Sequence, residues 1–278
     1  MTRLLRTRAE LRAALAEARR PVGLVPTMGW LHAGHRSLIR QARSESATTV
    51  VTIFVNPRQF GQAGDFSGYP RDEARDVAIC AEEGVDLVWA PPVEEVYPPG
   101  FDTTVSVGAI AQPLEGAARP GHFDGVTTVV AILLALVGAE RAYFGQKDAQ
   151  QLLVIRRMAL DLALPTEVVG CPTVRESDGL ALSSRNVHLD PRQRAAAAVL
   201  HRALLAGHQR WAAGERSAEV LRRTVREVLA FEPLAETEYV SCADGETLAE
   251  LERVEGRALL SLAARFGSTR LIDNEPLE

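Results

Sequence analysis

Short hydrophobic runs alternate with helical patterns through the first 175 residues of the chain. The runs of strand length are 21–26, 48–56, 85–91, 141–145 and 166–174. The second run is almost continuously apolar, which is typical of a strand covered on both faces of a parallel sheet. The pattern therefore predicts a central sheet that is buried on both sides.

Segments of helical length separate these runs. They cover residues 34–46, 71–84, 126–138 and 147–164. A first amphipathic helix is also predicted near the N-terminus, with Leu11 and Leu15 on its inner face. Strand–helix alternation with long crossovers favours an α/β fold with a Rossmann-like, doubly wound parallel sheet.

The pattern changes after residue 174. Two helices and then three short strands are predicted, at 191–214, 217–230, 237–244, 257–266 and 269–273. This order is typical of a smaller α+β domain. We therefore predict two domains, 1–174 and 175–278.

Composition and charge narrow the class of protein. The chain has 278 residues, of which 46% are hydrophobic and 24% are charged, as in ordinary globular proteins. Its net charge of -5 gives no reason to expect nucleic-acid binding, although a local basic site for a small anion is compatible with it.

The cysteines and the apolar runs indicate a cytoplasmic protein with no membrane partner. Cys80, Cys171 and Cys242 are far apart and form no CxxC pair, which favours reduced, buried thiols. The longest apolar run, 126–139, has the length of a core helix. The arginine-rich N-terminus contains Glu10 and Glu17, so an amphipathic helix is favoured over a targeting segment.

Polar motifs follow three of the predicted strands. They are "PTMG" at 26–29, "NPRQF" at 56–60 and "GQKD" at 145–148. In doubly wound sheets, ligands bind at the carboxyl ends of the strands. We therefore expect these three motifs to converge on one crevice.

Two histidines, His32 and His35, follow the first of these motifs at the start of a predicted helix. A metal site would need a further ligand at suitable spacing, and no HExxH motif is present. The N–H groups of a helix N-terminus favour an anion such as phosphate. Taken alone, the two histidines remain open to a structural or a functional interpretation.

Three other segments carry candidate chemistry. Lys147 lies at a strand–helix junction, where an anion-binding role is favoured over a solvated one. The segment "GLALSSRN" at 179–186 suits either a helix-capping loop or a phosphate-contacting loop. Arg119 and His122, in "RPGHF", are weak indications by themselves.

The motifs are more specific together than singly. "PTMGxLHxGH", "FVNPxQF", "YPR", "RPGHFxGVxTVV", "YFGxKDxQQ" and "PTVRExDGLAxSSRN" occur in one order between residues 22 and 189. This pattern resembles the pantothenate synthetase (pantoate–β-alanine ligase) family. The HxGH element also resembles the HIGH motif of the nucleotidyltransferase superfamily, which favours ATP phosphates over a metal as the target of the two histidines.

The resemblance implies ATP-dependent condensation of (R)-pantoate with β-alanine. The products would be pantothenate, AMP and pyrophosphate, formed through a pantoyl adenylate. The resemblance further implies Mg²⁺ and a homodimer. It makes residues 1–174 the catalytic domain that binds ATP and pantoate, and residues 175–278 a lid domain.

The resemblance also assigns roles to residues at matching positions. The implied catalytic residues are His32, His35, Lys147, Ser183 and Arg185. The other implied ATP-binding residues are Met28, Gly145, Asp148, Val174 and Ser184. The implied pantoate-binding residues are Asn56, Gln59 and Gln151. Asp76, whose surroundings match the family only loosely, is a candidate metal ligand.

The chain departs from the family pattern in two places. Gln146 stands where the family often has Glu, which puts the metal ligands in doubt. Ile132, Ala135 and Ala139 replace the Lys, Asn and Pro of many relatives, and we expect altered packing or adenosine contacts without loss of activity.

Three other functions compete with the ligase. A nucleotidyltransferase that adenylylates a phosphorylated substrate, such as phosphopantetheine, would share the HxGH element. It does not account for "FVNPxQF" together with "RPGHFxGV". A tRNA ligase would need an RNA-binding surface, which the net charge does not suggest. A non-catalytic binding module leaves the joint pattern of motifs unexplained.

Overall fold

The chain folds into two compact units. The computed structural model describes residues 1–60 and 66–278. The first unit comprises Met1–Gln146 with Gln150–Pro172, and the second comprises Lys147–Ala149 with Thr173–Glu278. The predicted boundary at residue 174 lies close to Thr173, where the chain enters the second unit for the last time. The sequence did not predict that Lys147–Ala149 belong to the second unit.

The first unit contains a six-stranded parallel sheet, which confirms the predicted fold class. Its strands are β1 (Arg3–Leu5), β2 (Val22–Thr27), β3 (Thr48–Ile53), β4 (Leu87–Trp89), β5 (Arg141–Gly145) and β6 (Glu167–Cys171), in the spatial order β1-β4-β3-β2-β5-β6. The α-helices described between and around these strands are α1 (Arg8–Ala16), α2 (Ala33–Glu45), α3 (Glu73–Glu82), α4 (Val93–Val96), α5 (Glu115–Ala118), α6 (His122–Val137) and α7 (Ala149–Asp161).

The strand order places a topological switch point between β2 and β5. The chain passes from β2 through α2 to β3 on one side, and from β5 through α7 to β6 on the other. Connections that leave neighbouring parallel strands in opposite directions open a crevice at their carboxyl ends, where ligands bind in doubly wound folds. We therefore expect ligand-binding residues in the segments that follow β2 and β5.

Burial of apolar side chains accounts for the central elements. β2 and β3 are buried along most of their length, and α2, which closely matches the predicted helical segment 34–46, buries Leu38, Ile39 and Ala42. Strand β6 ends at Cys171, just before Pro172, because proline cannot donate to the strand ladder.

Two N-terminal features differ from the expectation. The short edge strand β1 was not predicted, because three residues are too few to show a periodic pattern. Helix α1 buries Leu11 and Ala14, while Leu15 is only half-buried. The inner face of α1 therefore follows i, i+3 spacing here instead of the expected i, i+4.

The predicted apolar helix is α6, which begins at His122, earlier than its apolar run suggested, and has 16 residues. It ends at Val137 and is capped by Gly138, whose φ of +58° is left-handed and suits glycine. Within the described ranges, no helix is long and apolar enough to cross a membrane.

The second unit combines three helices with an antiparallel sheet. These elements are α8 (Pro191–Ala197), α9 (Val199–Ala212), α10 (Ala218–Ala230), β7 (Glu236–Asp244), β8 (Ala258–Phe266) and β9 (Thr269–Leu277), with strand order β7-β8-β9. The single helix predicted over 191–214 is divided at Ala198, and β9 runs beyond the predicted end at 273. This α+β architecture was predicted.

Candidate active site

The turn after β2 is held by two side chains of α3. Gly29 and Trp30 both adopt left-handed backbone conformations, with φ of +83° and +52°. The N–H groups of Trp30 and Leu31 donate to the two carboxylate oxygens of Asp76 at 2.7 Å each. Arg75 donates to the Leu31 carbonyl at 2.9 Å and lies over the Trp30 ring. This turn therefore has a fixed shape before any ligand binds.

Asp76 is almost completely buried, with 1% of its surface exposed. Burial raises the pKa of its carboxyl group, while the two backbone N–H groups act in the opposite direction. A Cβ atom added at Gly29 would lie 2.9 Å from one Asp76 oxygen. The turn and the carboxylate are thus in close contact, and glycine is required between them.

His32 and His35 lie together at the start of α2. His32 is the N-cap residue, and its Nδ1 accepts from the Gly34 N–H at 3.2 Å. The Nδ1 of His35 accepts from the His32 N–H at 3.3 Å, and the two ring centroids are 4.1 Å apart. When Nδ1 is an acceptor, a neutral imidazole carries its proton on Nε2. The helix start thus combines two ring N–H donors with its own positive end, which suits an anion.

A buried amide network follows β3. Asn56 is 1% exposed and Gln59 is 9% exposed. The Asn56 side-chain amide donates to Gln59 Oε1 at 3.1 Å and to the Gly125 carbonyl at 3.0 Å. Gln59 Nε2 in turn lies 3.0 Å from Met28 Sδ. The structure thus brings together Met28, Asn56 and Gln59, which the sequence had proposed as ligand-binding residues.

Tyr97 completes this network. Its hydroxyl donates to Asn56 Oδ1 at 2.7 Å, and burial raises its pKa to about 12, so it stays a donor at neutral pH. Both ends of the Asn56 amide are therefore used, and its orientation is fixed. No sequence pattern pointed to Tyr97, because 41 positions separate the two residues in the chain.

Arg119 and His122 support the same network through the backbone. Both donate to the Gln59 carbonyl, at 3.2 Å from Arg119 Nη2 and 2.9 Å from His122 Nδ1. A second Arg119 nitrogen lies 3.2 Å from His122 Nε2, which must then be the acceptor. The "RPGHF" segment, a weak indication in the sequence, therefore holds Gln59 in place.

The two adjacent glutamines of α7 differ in their surroundings. Gln150 is 6% exposed, accepts from the Glu115 N–H, and donates to the carbonyls of Ile110 and Pro113. Gln151, the proposed pantoate-binding residue, is half-buried. Gln150 is therefore a structural residue, and Gln151 is the one with an accessible side chain.

The other proposed residues lie at the end of β5 and in the second unit. Gly145 ends β5, and a Cβ atom there would meet open space. Lys147 has 16% of its side chain exposed, and its Nζ lies 3.4 Å from Asp148 Oδ1. Ser183 accepts from the Arg185 N–H at 3.2 Å and caps the 3-10 turn Ser184–His188. These residues are partly exposed, as residues that bind a ligand must be.

Val174, the remaining proposed ATP-binding residue, is half-buried, and its carbonyl accepts from the Leu182 N–H at 2.9 Å. This bond closes a tight hairpin over 174–182 that leads directly into Ser183. Val174 thus helps to fix the segment that contains the two serines and Arg185.

Comparison with known proteins decides the family. A family model described as pantoate-beta-alanine ligase matches residues 3–276. The chain is 61% identical over 276 residues to the pantothenate synthetase of Roseiflexus sp. (strain RS-1), with 99% of each chain covered. The chain belongs to the pantoate–β-alanine ligase family.

Solved structures of this ligase family agree with the fold. A crystal structure of the pantothenate synthetase from Thermus thermophilus has a TM-score of 0.95 and 52% identity, with 98% of both chains covered. A Francisella tularensis pantoate–β-alanine ligase, complexed with β,γ-ATP and β-alanine, has a TM-score of 0.82 and 32% identity, with 99% of this chain and 97% of that chain covered. Family membership favours the ligase over the nucleotidyltransferase alternative.

The described residues do not form a protein cage for the Mg²⁺ ion that the ligase family implies. Over residues 1–60 and 66–278, no three His, Cys, Asp or Glu side chains are grouped to hold a metal. Mg²⁺ usually keeps several waters and binds one or two carboxylates together with substrate phosphates. Both oxygens of Asp76 already accept backbone N–H groups. The role of Asp76 as a metal ligand therefore stays a prediction, and its observed role is to hold the turn after β2.

The departures from the ligase pattern fall mainly on one helix. In α6, Ile132 is half-buried and Ala135 is exposed, whereas Ala139, just beyond the helix, is buried. The expectation that these substitutions alter packing or adenosine contacts stays a prediction.

We expect Asp76→Asn to destabilise the ligase. The substitution keeps the size of the side chain but places an NH₂ group against a backbone N–H, so one buried donor loses its acceptor. The free energy of unfolding should fall by at least about 1 kcal/mol in urea denaturation. Glu82→Gln, at an exposed position of the same helix, is the matched control, and equal effects of the two substitutions would contradict the role of Asp76.

Proposed function

We propose that this chain condenses (R)-pantoate with β-alanine in two steps through a pantoyl adenylate. ATP is the co-substrate, pyrophosphate leaves in the first step, and AMP leaves in the second. The observation that carries the proposal is the pairing of a helix-start histidine cluster with a buried amide network, at the ends of the neighbouring strands β2 and β3. The first suits phosphates, and the second suits a small hydroxy acid.

The first step needs positioning more than it needs a base. A carboxylic acid with a pKa near about 4 is ionised at neutral pH, so pantoate can attack the α-phosphorus directly. Gln59 and Gln151 offer neutral amides, which bind hydroxyl and carboxylate oxygens without adding negative charge near ATP. The network around Asn56 fixes the Gln59 amide in advance.

The protein must also offset the charge that builds on the departing pyrophosphate. We assign this task to the ring N–H groups of His32 and His35, to Lys147 and Arg185, and to the hydroxyls of Ser183 and Ser184. Fixed donors aimed at developing charge are the largest single source of catalysis in many enzymes. Met28, Gly145, Asp148 and Val174 complete the proposed nucleotide-binding set.

The second step requires a free amine and a protected intermediate. The ammonium group of β-alanine, with a pKa of about 10, must lose its proton before it attacks the acyl carbon. The adenylate must be kept from water until then. The lid role predicted for the second unit, with its "ALSSRN" segment, belongs to this part of the proposal.

Mg²⁺ and a homodimer are also part of the proposal. Both come from the family resemblance. Bound Mg²⁺ would neutralise phosphate charge.

Pyrophosphate exchange tests the two-step route. With ATP, Mg²⁺ and pantoate but no β-alanine, labelled pyrophosphate should appear in ATP, because the adenylate forms reversibly while it stays enclosed. A nucleotidyltransferase acting on a phosphorylated substrate would not require pantoate. Protein that makes pantothenate but shows no exchange above the pantoate-free control would rule out the stepwise route. His35→Ala should slow the exchange and the overall reaction together.

A further inference from the structure

Strand β9 contains two consecutive buried polar residues, Asp273 and Asn274, which are 2% and 4% exposed. Successive side chains of a strand point to opposite faces, so no single polar face accounts for both of them. Burying a carboxylate and an amide is costly unless each finds a partner. Their partners indicate what these residues do.

Asn274 is bonded to the segment that contains Lys147. Its side-chain amide donates to the Lys147 carbonyl at 2.9 Å, across 127 positions of sequence. The chain belongs to the second unit only from Lys147 to Ala149 before it returns to the first unit at Gln150. Asn274 therefore fixes the backbone of the proposed catalytic lysine to the last strand of the second unit.

Asp273 is bonded to the hairpin that precedes Ser183. Its two oxygens accept from the Arg175 guanidinium at 2.6 and 3.0 Å, and Arg175 is itself largely buried. The same guanidinium donates to the Gly179 carbonyl at 3.1 Å, and Arg175 pairs with Ala181 across the hairpin. A two-pronged ion pair of this kind restricts both position and orientation.

We propose that Asp273 and Asn274 are positioning residues for the ligase reaction. The middle of β9 would hold the Lys147 backbone through Asn274, and it would hold the hairpin before Ser183, Ser184 and Arg185 through Asp273. The cationic and hydroxyl groups that offset phosphate charge would thus keep a fixed relation within one unit. The inference rests on the proposed function of these groups.

Asn274→Ala tests the inference most directly. A displaced catalytic group costs rate more than affinity, so kcat and the pyrophosphate exchange rate should fall about 10- to 100-fold, while the KM for pantoate changes by less than about twofold. Glu275→Gln, the next residue of β9, is the matched control and should keep the rate of the parent protein. Thermal unfolding of each variant reports on the fold.

A double-mutant cycle separates positioning from general damage. If Asn274 acts through the Lys147 side chain, adding Asn274→Ala to Lys147→Ala should lower the remaining rate by less than about threefold. Fully additive losses, or an Asn274→Ala protein with normal kcat, would overturn the role of Asn274. If Lys147→Ala itself keeps normal kcat, the proposed function of Lys147 fails instead.

Asp273→Asn tests the second anchor. It removes the charge that faces Arg175 but keeps the size of the side chain, and kcat should fall by about tenfold or more with the pantoate KM preserved. Should Asn274→Ala fail to fold, Asn274→Ser, which keeps a short hydroxyl donor, takes its place in the cycle. Normal kcat in both Asp273→Asn and Asn274→Ser would contradict the inference.

Discussion

Replacing Lys147 with alanine should lower kcat by roughly 30- to 1,000-fold, which corresponds to about 2–4 kcal/mol of lost transition-state stabilisation. On the proposed two-step route, negative charge grows on the phosphate oxygens as pyrophosphate departs, and the fixed Lys147 ammonium group would stabilise that charge most at the transition state. The side chain is only 16% exposed, so its charge acts where water screens it weakly. The loss should therefore appear in kcat and in the exchange of labelled pyrophosphate into ATP.

The fold should be little affected, because the ion pair of the Lys147 side chain with Asp148 is long, at 3.4 Å. Arg157→Ala is the matched control, since it removes a cation from exposed α7 surface, where Arg157 pairs with Asp161 one helical turn away. The measurement compares kcat and the unfolding midpoint of the two variants. A Lys147→Ala enzyme with kcat close to that of Arg157→Ala would remove Lys147 from the proposed catalytic residues.

The fold was predictable where local pattern and tertiary burial agree. In the apolar β3 and the amphipathic α2, the pattern of hydrophobic residues in the sequence matches the pattern of burial in the structure. β1 was not predicted, because it is short and lies at the edge of the sheet. The break between α8 and α9 at Ala198 was not predicted, because alanine favours a continuous helix and neither glycine nor proline stands there.

The residues of the candidate site could be predicted from the sequence, but the long-range contacts that hold them in place could not. Motifs after strand ends pointed to Met28, Asn56 and Gln59, and the structure joins these three in one network. The supporting contacts connect distant positions, as Asp76 does with the turn after β2 and Asn274 does with Lys147. A single sequence shows no periodicity for such long-range polar pairs, so they emerge only when the chain is folded.

Replacing Gln59 or Gln151 with alanine should weaken pantoate use far more than ATP use. Each amide is proposed to bind an oxygen of the acid, and a hydrogen bond to a charged group contributes about 1.5–3 kcal/mol, or roughly 10- to 150-fold in kcat/KM for pantoate. Gln59→Ala should also lower stability slightly, because its amide contacts Asn56 and Met28. Gln151 is half-buried, and its replacement should leave stability nearly unchanged.

The neighbouring Gln150 provides a control within the same helix. Its side chain is buried and hydrogen-bonded to the backbone at Ile110, Pro113 and Glu115. Gln150→Ala should therefore lower the unfolding midpoint. The ratio of the KM for pantoate to the KM for ATP should stay unchanged. The measurement is the KM for pantoate and for ATP in each variant, with a thermal melt. Equal increases in both KM values for Gln59→Ala and Gln151→Ala would contradict the assignment. An increase in the KM for pantoate alone in Gln150→Ala would also contradict it. Adjacent helical residues point in different directions, so pantoate would then contact the face of α7 that contains Gln150 and not the face that contains Gln151.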